Sequence, residues 1–435
     1  MYPLDSEEDL YISGVIEMKC VTSIFVVNFS HLCRVFHLAH MDLEAPLPKT
    51  RDATTYIVRG MSIIGYLPIE NYKAAFYLWS CFINFFVTIY MPIGFLMSFL
   101  LRLSTFSPSD FFTSLQIWIN CIGCSLKMFV FLFLYRRLIE GRKFMDRLDV
   151  RINNDEDRLQ IRETVAFSNR SLTCYAALYL SYASSTFLVA VINDKPPYQV
   201  FNPFFHWKDD TLKFSIQAGC EYLMIAFHCF QQALLDSYPV IYITIIRTHL
   251  HILTRRISRL GNISEMTSDQ RYEELVQCVL DHKNIMGLYN IFCPVISGTM
   301  FVQFLIIGLI LGITTLHIFL FADRLAVIAS LFYVASILAE TFPCSFLANC
   351  LMDDSDSISL AIFHSAWHNE EPRYKQMICF FLQHTQKTLI LTAMKIFPIT
   401  LNSNINVVKF AFSVYTMMKQ MGFGQNLKNV VGGDL

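Results

Sequence analysis

Hydrophobic residues come in long blocks along this chain, separated by short, sharply polar stretches. Seven blocks are long enough to cross a bilayer as helices: about 72–101, 111–135, 171–192, 214–246, 291–321, 325–350 and 399–421. The stretches between them differ in kind. Residues 136–170 and 247–283 are charged and helical in pattern, 193–210 is a polar, aromatic loop, and 351–398 is mixed, amphipathic and too polar to cross. Residues 1–71 contain Pro46, Pro48 and Pro68 as breakers and predict short interfacial helices at most. Residues 422–435 form a glycine-rich polar tail.

The last block has the most informative pattern. Asn402, Asn406, Lys409, Ser413, Thr416 and Gln420 recur at helical spacing and share one face, while Val407, Val408, Ala411, Phe412, Val414, Tyr415 and Met418 lie opposite. Lipid cannot hydrogen-bond a polar stripe, so the stripe faces either polar protein groups or water. A helix–helix interface joined by small polar side chains and a helix lining an aqueous path both satisfy this. The fourth block carries Glu221, His228, Gln231, Gln232 and Asp236. These read either as polar contacts buried in a bundle or as a site for a ligand or partner. In the second block the one charge, Lys127, is expected to snorkel.

Composition confirms the membrane class: 54% of the 435 residues are hydrophobic, only 16% are charged, and there are 39 phenylalanines. The net charge of −1 says nothing about partners, and with no basic tract suited to nucleic acid, none is expected as a partner. The acidic N-terminus lacks a charged region followed by an apolar run, so no cleaved signal peptide is expected. With the N-terminus placed in the cytosol, lysine and arginine divide 24 inside against 7 outside, which sets the orientation. The expected fold is an all-α integral membrane protein with seven transmembrane helices, a cytosolic N-terminus, an extracellular C-terminus and a cytosolic helical anchor region. On this topology the sequons at Asn28, Asn169 and Asn262 are all cytosolic, so no N-glycan is expected. The thirteen cysteines show no zinc spacing, and no His, Cys, Asp and Glu cluster points to an enzyme. Neither a cofactor nor a metal is expected. A secondary transporter would show repeats and broken helices, and neither is seen.

The chain resembles the insect odorant receptor family. The resemblance rests on Ser355-x5-Ala361-x-Phe363-x3-Trp367, Arg373, Gln386-Lys387, Lys395-Ile-Phe-Pro-Ile-Thr-Leu401 and Lys409-x3-Ser413-Val-Tyr-Thr416. It departs from the family at Phe363, where Tyr is usual, at Thr388, where Pro is usual, and at Met394, where Gly is usual. The long linker of the family's coreceptor is missing, which implies a ligand-tuning subunit. A gustatory receptor, whose Thr-Tyr-x5-Gln-Phe ending is not reproduced, is the alternative, and a G-protein-coupled receptor a more distant one.

The resemblance implies an odorant-gated nonselective cation channel, a heterotetramer with a shared odorant coreceptor. It implies a last helix that lines the pore and a small, volatile, apolar ligand. Location in the dendritic membrane of olfactory sensory neurons is implied likewise. Pore and gate would be Ser413, Met417, Gln420 and Met421. The ligand pocket, in the outer half among spans two, three, four and six, would be lined by Trp118, Tyr182, Ser184, Phe187, Tyr222, Phe332 and Tyr333, with Ile117, Glu221 and Ala226 nearby. The implied organisation is a cytosolic segment at 1–71, spans one to six over 72–350, an anchor at 351–398, the pore helix at 399–421 and an extracellular tail at 422–435.

Overall fold

A computed structural model describes residues 48–66, 73–103, 106, 108–152, 154–192, 195–204, 208, 210–260, 266–320 and 324–420. Nearly all of these lie in one compact unit, Lys49–Leu435. Met421 and the tail fall outside the described residues, as does most of 1–71. A 3₁₀ turn, Thr50–Thr54, leads into α1 (Thr55–Ile63). The next helix runs as α2 (Lys73–Asn84), a π-helical turn (Phe85–Tyr90) and α3 (Met91–Arg102). Five long helices follow: α4 (Pro108–Asp149), α5 (Asp155–Ile192), α6 (Thr211–Arg259), α7 (Ser268–Leu320) and α8 (Arg324–His364). Then come α9 (Pro372–Thr385), a two-stranded hairpin of β1 (Thr392–Ala393) and β2 (Phe397–Pro398), and α10 (Leu401–Gln420). Among the described residues, four helices contain a stretch apolar enough to cross a membrane: Phe76–Arg102, Asp110–Asp149, Ser268–Phe319 and Tyr333–His364. Helices α5, α6 and α10 also have the length to cross a bilayer.

Helix α6 is the axis of the core. From Gln231 to Val240 every residue is buried, which is why its sequence shows no apolar face. Helices α4 and α7 approach closely through glycine: a Cβ on Gly141 would lie 2.5 Å from the Phe292 ring, and one on Gly298 would lie 2.8 Å from Val130. Three prolines sit inside long helices: Pro239, Pro294 and Pro343. Pro343 cannot donate to the Ala339 carbonyl four residues earlier, and the Tyr175 hydroxyl on α5 donates to that carbonyl instead, at 3.4 Å. Pro92 comes just after the π-helical turn, and Ser125 Oγ on α4 donates to the Thr88 carbonyl within that turn at 3.3 Å.

Helix α1 is not an interfacial element. Ile57 and Met61, one turn apart, are buried in the main core, and Gly60 packs on Leu234. Pattern alone could not separate a surface-lying amphipathic helix from one whose apolar face is docked.

The helices on either side of each charged linker continue into it, and the linker charges form ion pairs across the bundle. Arg151 bridges Asp281 at 2.5 Å and Glu274 at 2.6 Å, Arg256 reaches Asp281 at 2.9 Å, and Arg247 and His251 both hold Asp354 at 2.6 and 2.8 Å. Burial would raise the Asp354 carboxyl, but the hydrogen bonds from His251 and Arg247 outweigh it and hold the group below its usual range. Burial, with His384 nearby, pushes His282 down to about 4, and burial beside Arg256 pushes His249 down to about 3. Both rings are therefore neutral in the fold but titrate near 6.5 when it opens, so the unfolded chain binds more protons. Stability from these rings is complete above about pH 7 and declines as pH falls through 6.5. Above about pH 5 the carboxylates of ordinary affinity stay ionised, so the decline there belongs to the histidines. Thermal unfolding of the purified protein should show a loss of roughly 1–3 kcal/mol between pH 7 and 5. A His282→Gln, His249→Gln pair should flatten that slope, and an unchanged slope would rule the histidines out.

Candidate functional site

Four helices enclose a cavity of about 60 Å³. Ile117, Asn120 and Cys121 come from α4, Leu178, Tyr179 and Tyr182 from α5, Ile225, His228, Cys229 and Gln232 from α6, and Tyr333, Ser336, Ile337 and Glu340 from α8. The remaining wall is Tyr198, from the loop between α5 and α6. Glu221 fastens that loop. Its carboxylate accepts the backbone N–H of Tyr198 and of Val200, each at 2.9 Å, and the Gln217 amide at 2.6 Å.

A charged network lies at one end of the cavity. Lys127 donates to Asp236 at 2.8 Å and to Gln303, and Gln303 donates to Glu340. Tyr179 donates to Asp236 at 3.0 Å, and Gln232 donates to Glu340 at 3.3 Å. Five helices, α4 to α8, thereby meet in one hydrogen-bonded cluster. Lys127 does not snorkel: its side chain is 2% exposed and Asp236, on the facing helix, is its counter-charge. The pairing links positions 127 and 236, and only the packed bundle brings them together.

The polar set on α6 therefore divides. Asp236 and Gln232 belong to the network, Glu221 holds the loop, and Gln231 donates to the Tyr66 hydroxyl at 2.9 Å. His228 lines the cavity, and neither of its ring nitrogens has a partner.

Of the pocket residues expected from sequence, Tyr182 and Tyr333 line the cavity and stack on each other, with centroids 6.1 Å apart. Ile117 lines it too. Trp118 faces the first span, where its indole donates to the Pro92 carbonyl at 2.8 Å and its ring meets Phe99 edge-on. Ser184, Phe187 and Tyr222 form a separate group between α5 and α6: the two hydroxyls are 3.1 Å apart and the Phe187 and Tyr222 rings 4.8 Å apart. Phe332 lies on α8, and its side chain is outside the described residues. Sequence reasoning passed over Tyr198 as a loop residue and left His228 and Gln232 open between bundle contacts and a ligand site. Their signal was present in the unusual polarity of the fourth block.

On α10, Val407, Ala411 and Val414 face the bundle. Ala411 is buried among Ile306, Ile307, Ile310 and Ile337, and Gly308 and Gly312 of α7 leave room for Val407 and Val414. Asn402, Asn406, Lys409, Ser413 and Gln420 are exposed, as is Met417 at 55%. The stripe thus faces away from its own bundle and is not glue within the chain. Tyr333 ties the two regions together, since it lines the cavity and packs against the cluster that holds α10.

The family model of the 7tm Odorant receptor matches residues 107–412. The chain belongs to that family. It is 42% identical over 380 residues to Odorant receptor 42a of Drosophila melanogaster, covering 87% of this chain and 94% of that one. It is 41% identical over 394 residues to Odorant receptor 42b of the same fly, covering 89% and 99%. The fold matches the insect olfactory receptor OR5 from Machilis hrabei, with a TM-score of 0.70 at 14% identity over 85% of this chain and 98% of that one. The same receptor in complex with eugenol matches with a TM-score of 0.68 at 13% identity. The protein is thus a multi-pass membrane odorant receptor, neither a gustatory receptor nor an enzyme.

Proposed function

We propose that this odorant receptor is the ligand-tuning subunit of an odorant-gated, nonselective cation channel, assembled as a heterotetramer with the family's shared coreceptor. The observation that carries the channel reading is the outward polar stripe of α10. In a bilayer, exposed Asn402, Asn406, Lys409, Ser413 and Gln420 cannot be left against lipid, so they face water or another subunit. The proposed conduction path runs past Ser413, Met417 and Gln420, with Met421 beyond them. A ring of flexible apolar methionines closes such a path by excluding water.

The proposed odorant site is the cavity, with Tyr182 and Tyr333 as its aromatic wall. Four helices, a volatile-sized volume and a few polar groups suit a small ligand. Binding there biases opening only through a difference in affinity between closed and open states. Seven crossings with the N-terminus in the cytosol complete the reading, and the receptor is placed in the dendritic membrane of olfactory sensory neurons. Exposed Leu360, Phe363, Phe380 and Ile390 form the apolar surface of a cytosolic anchor between subunits.

Whole-cell recording with and without the coreceptor, against a panel of volatiles, tests the assignment. The expected result is a rapid cation current that needs both chains. A full current from this chain alone would replace the tuning-subunit reading with a self-sufficient homotetramer. No current in any pairing, with the chain at the surface, would overturn the channel reading.

A further inference from the structure

Among the described residues, fifteen buried side-chain nitrogen and oxygen atoms have no hydrogen-bond partner, and five of them belong to residues that line this one cavity. They are the hydroxyls of Tyr198 and Tyr333, both ring nitrogens of His228, and Oε1 of Gln232. The Tyr198 and Tyr333 residues are 3% and partly exposed, and His228 is 5% exposed, so bulk water does not serve these groups. A buried polar atom without a partner costs about 1–3 kcal/mol. Concentrating such a cost in one enclosed space is the mark of a site that awaits a polar guest.

We infer that the cavity recognises a compact, neutral molecule bearing one oxygen function, a carbonyl or a hydroxyl, through the Tyr333, Tyr198 and His228 side chains. The inventory sets the class. The phenols and one imidazole nitrogen donate, while Gln232 Oε1 and the other imidazole nitrogen accept. A carbonyl oxygen takes two of the donors. A hydroxyl accepts from a phenol and donates to Gln232 or His228. A pure hydrocarbon satisfies none of them. An anion would meet Asp236 and Glu340 at the network end. Those two carboxylates are themselves engaged, Asp236 by Lys127 and Tyr179 and Glu340 by Gln303 and Gln232, so neither stands open to a cation. Size sets the rest. At about 10–15 Å³ per water-sized centre, a cavity of about 60 Å³ holds a handful of heavy atoms before its walls must move. Tyr182 and Ile117 provide the apolar contact for the remainder of such a molecule.

This deepens the odorant-site reading above and rests on it for the choice of volatile probes. Pentane, 2-pentanone, 1-pentanol and pentylamine share a chain length and differ in one function. Two readouts are needed: saturation-transfer NMR on the purified chain in lipid nanodiscs, and current in cells that also express the coreceptor. 2-Pentanone and 1-pentanol should bind at concentrations at least tenfold below pentane and pentylamine. Tyr333→Phe should weaken both oxygenated probes about 3- to 10-fold and leave pentane unchanged.

The same variant should unfold at a higher temperature, because it deletes an unpartnered hydroxyl without changing shape. A hydroxyl with only a structural role would make the variant less stable. Equal binding of pentane and 2-pentanone, preference for pentylamine, or no binding of either oxygenated probe would each overturn the inference. Selective binding without current would leave it standing while the channel reading fails, and current with equal potency for all probes would do the reverse.

Discussion

Lys127→Met should abolish surface expression. Among the described residues, Lys127 is the cation that pairs with Asp236 and, through Gln303, with Glu340. Its loss leaves two carboxylates in a membrane interior with no counter-charge. Breaking a buried ion pair from one side costs about 3–5 kcal/mol, a large part of the stability of an ordinary domain. Asp236→Asn should be milder, because Glu340, linked to the ammonium through Gln303, remains to balance it. The double variant Lys127→Met, Asp236→Leu removes both members of the primary pair and should recover much of the expression lost in Lys127→Met. Surface labelling of tagged receptors, with thermal unfolding in detergent, reads all three. If Lys127→Met reaches the surface at the native level, the network is dispensable and its role in holding five helices together is disproved.

Ser413→Lys should eliminate inward cation current while the protein still reaches the surface. Ser413 lies mid-helix on the exposed stripe of α10, and its hydroxyl only donates back to the Lys409 carbonyl at 2.9 Å. In a water-filled path an added ammonium is solvated, so insertion is unaffected, but the positive ring repels permeating cations. Against lipid the same side chain costs about 2.5–3.5 kcal/mol on insertion scales, and surface expression falls instead. Against a packed neighbouring subunit, assembly fails. Ser413→Thr, which keeps a hydroxyl and little extra bulk, should conduct normally. A lysine variant with normal expression and normal current would remove Ser413 from the conduction path.

Periodicity and composition were sufficient for some conclusions. The blocks of apolar residues, the polar stripe of the last helix and the helical character of the charged linkers are local patterns, and local pattern is set by backbone geometry alone. The departure at Met394 is a similar case. Met394 and Lys395 both take left-handed φ, 48° and 60°, at the turn of the β1–β2 hairpin, which explains why glycine is the usual residue there.

The cavity was legible only in outline. The four helices that form it were implied by family resemblance, and two of its aromatic residues, Tyr182 and Tyr333, were among those named in advance. Trp118, Ser184, Phe187 and Tyr222 sit on the same helices but turn elsewhere, because a helix that is polar or apolar on every side carries no sequence signal for its rotation. Helix α6 is the extreme instance, buried on all faces through its middle.

What the sequence by itself determined was the class of protein, the placement of its helices and the sided polarity of α10, since each depends on residues near one another in the chain. The tertiary structure alone decided which charges pair, how the carbonyl freed by Pro343 is satisfied, and which polar groups are left open to a ligand. Lys127 and Asp236, Tyr175 and Ala339, and Tyr198 and His228 are brought together from distant parts of the chain. Their meaning depends on the burial and partners that packing supplies.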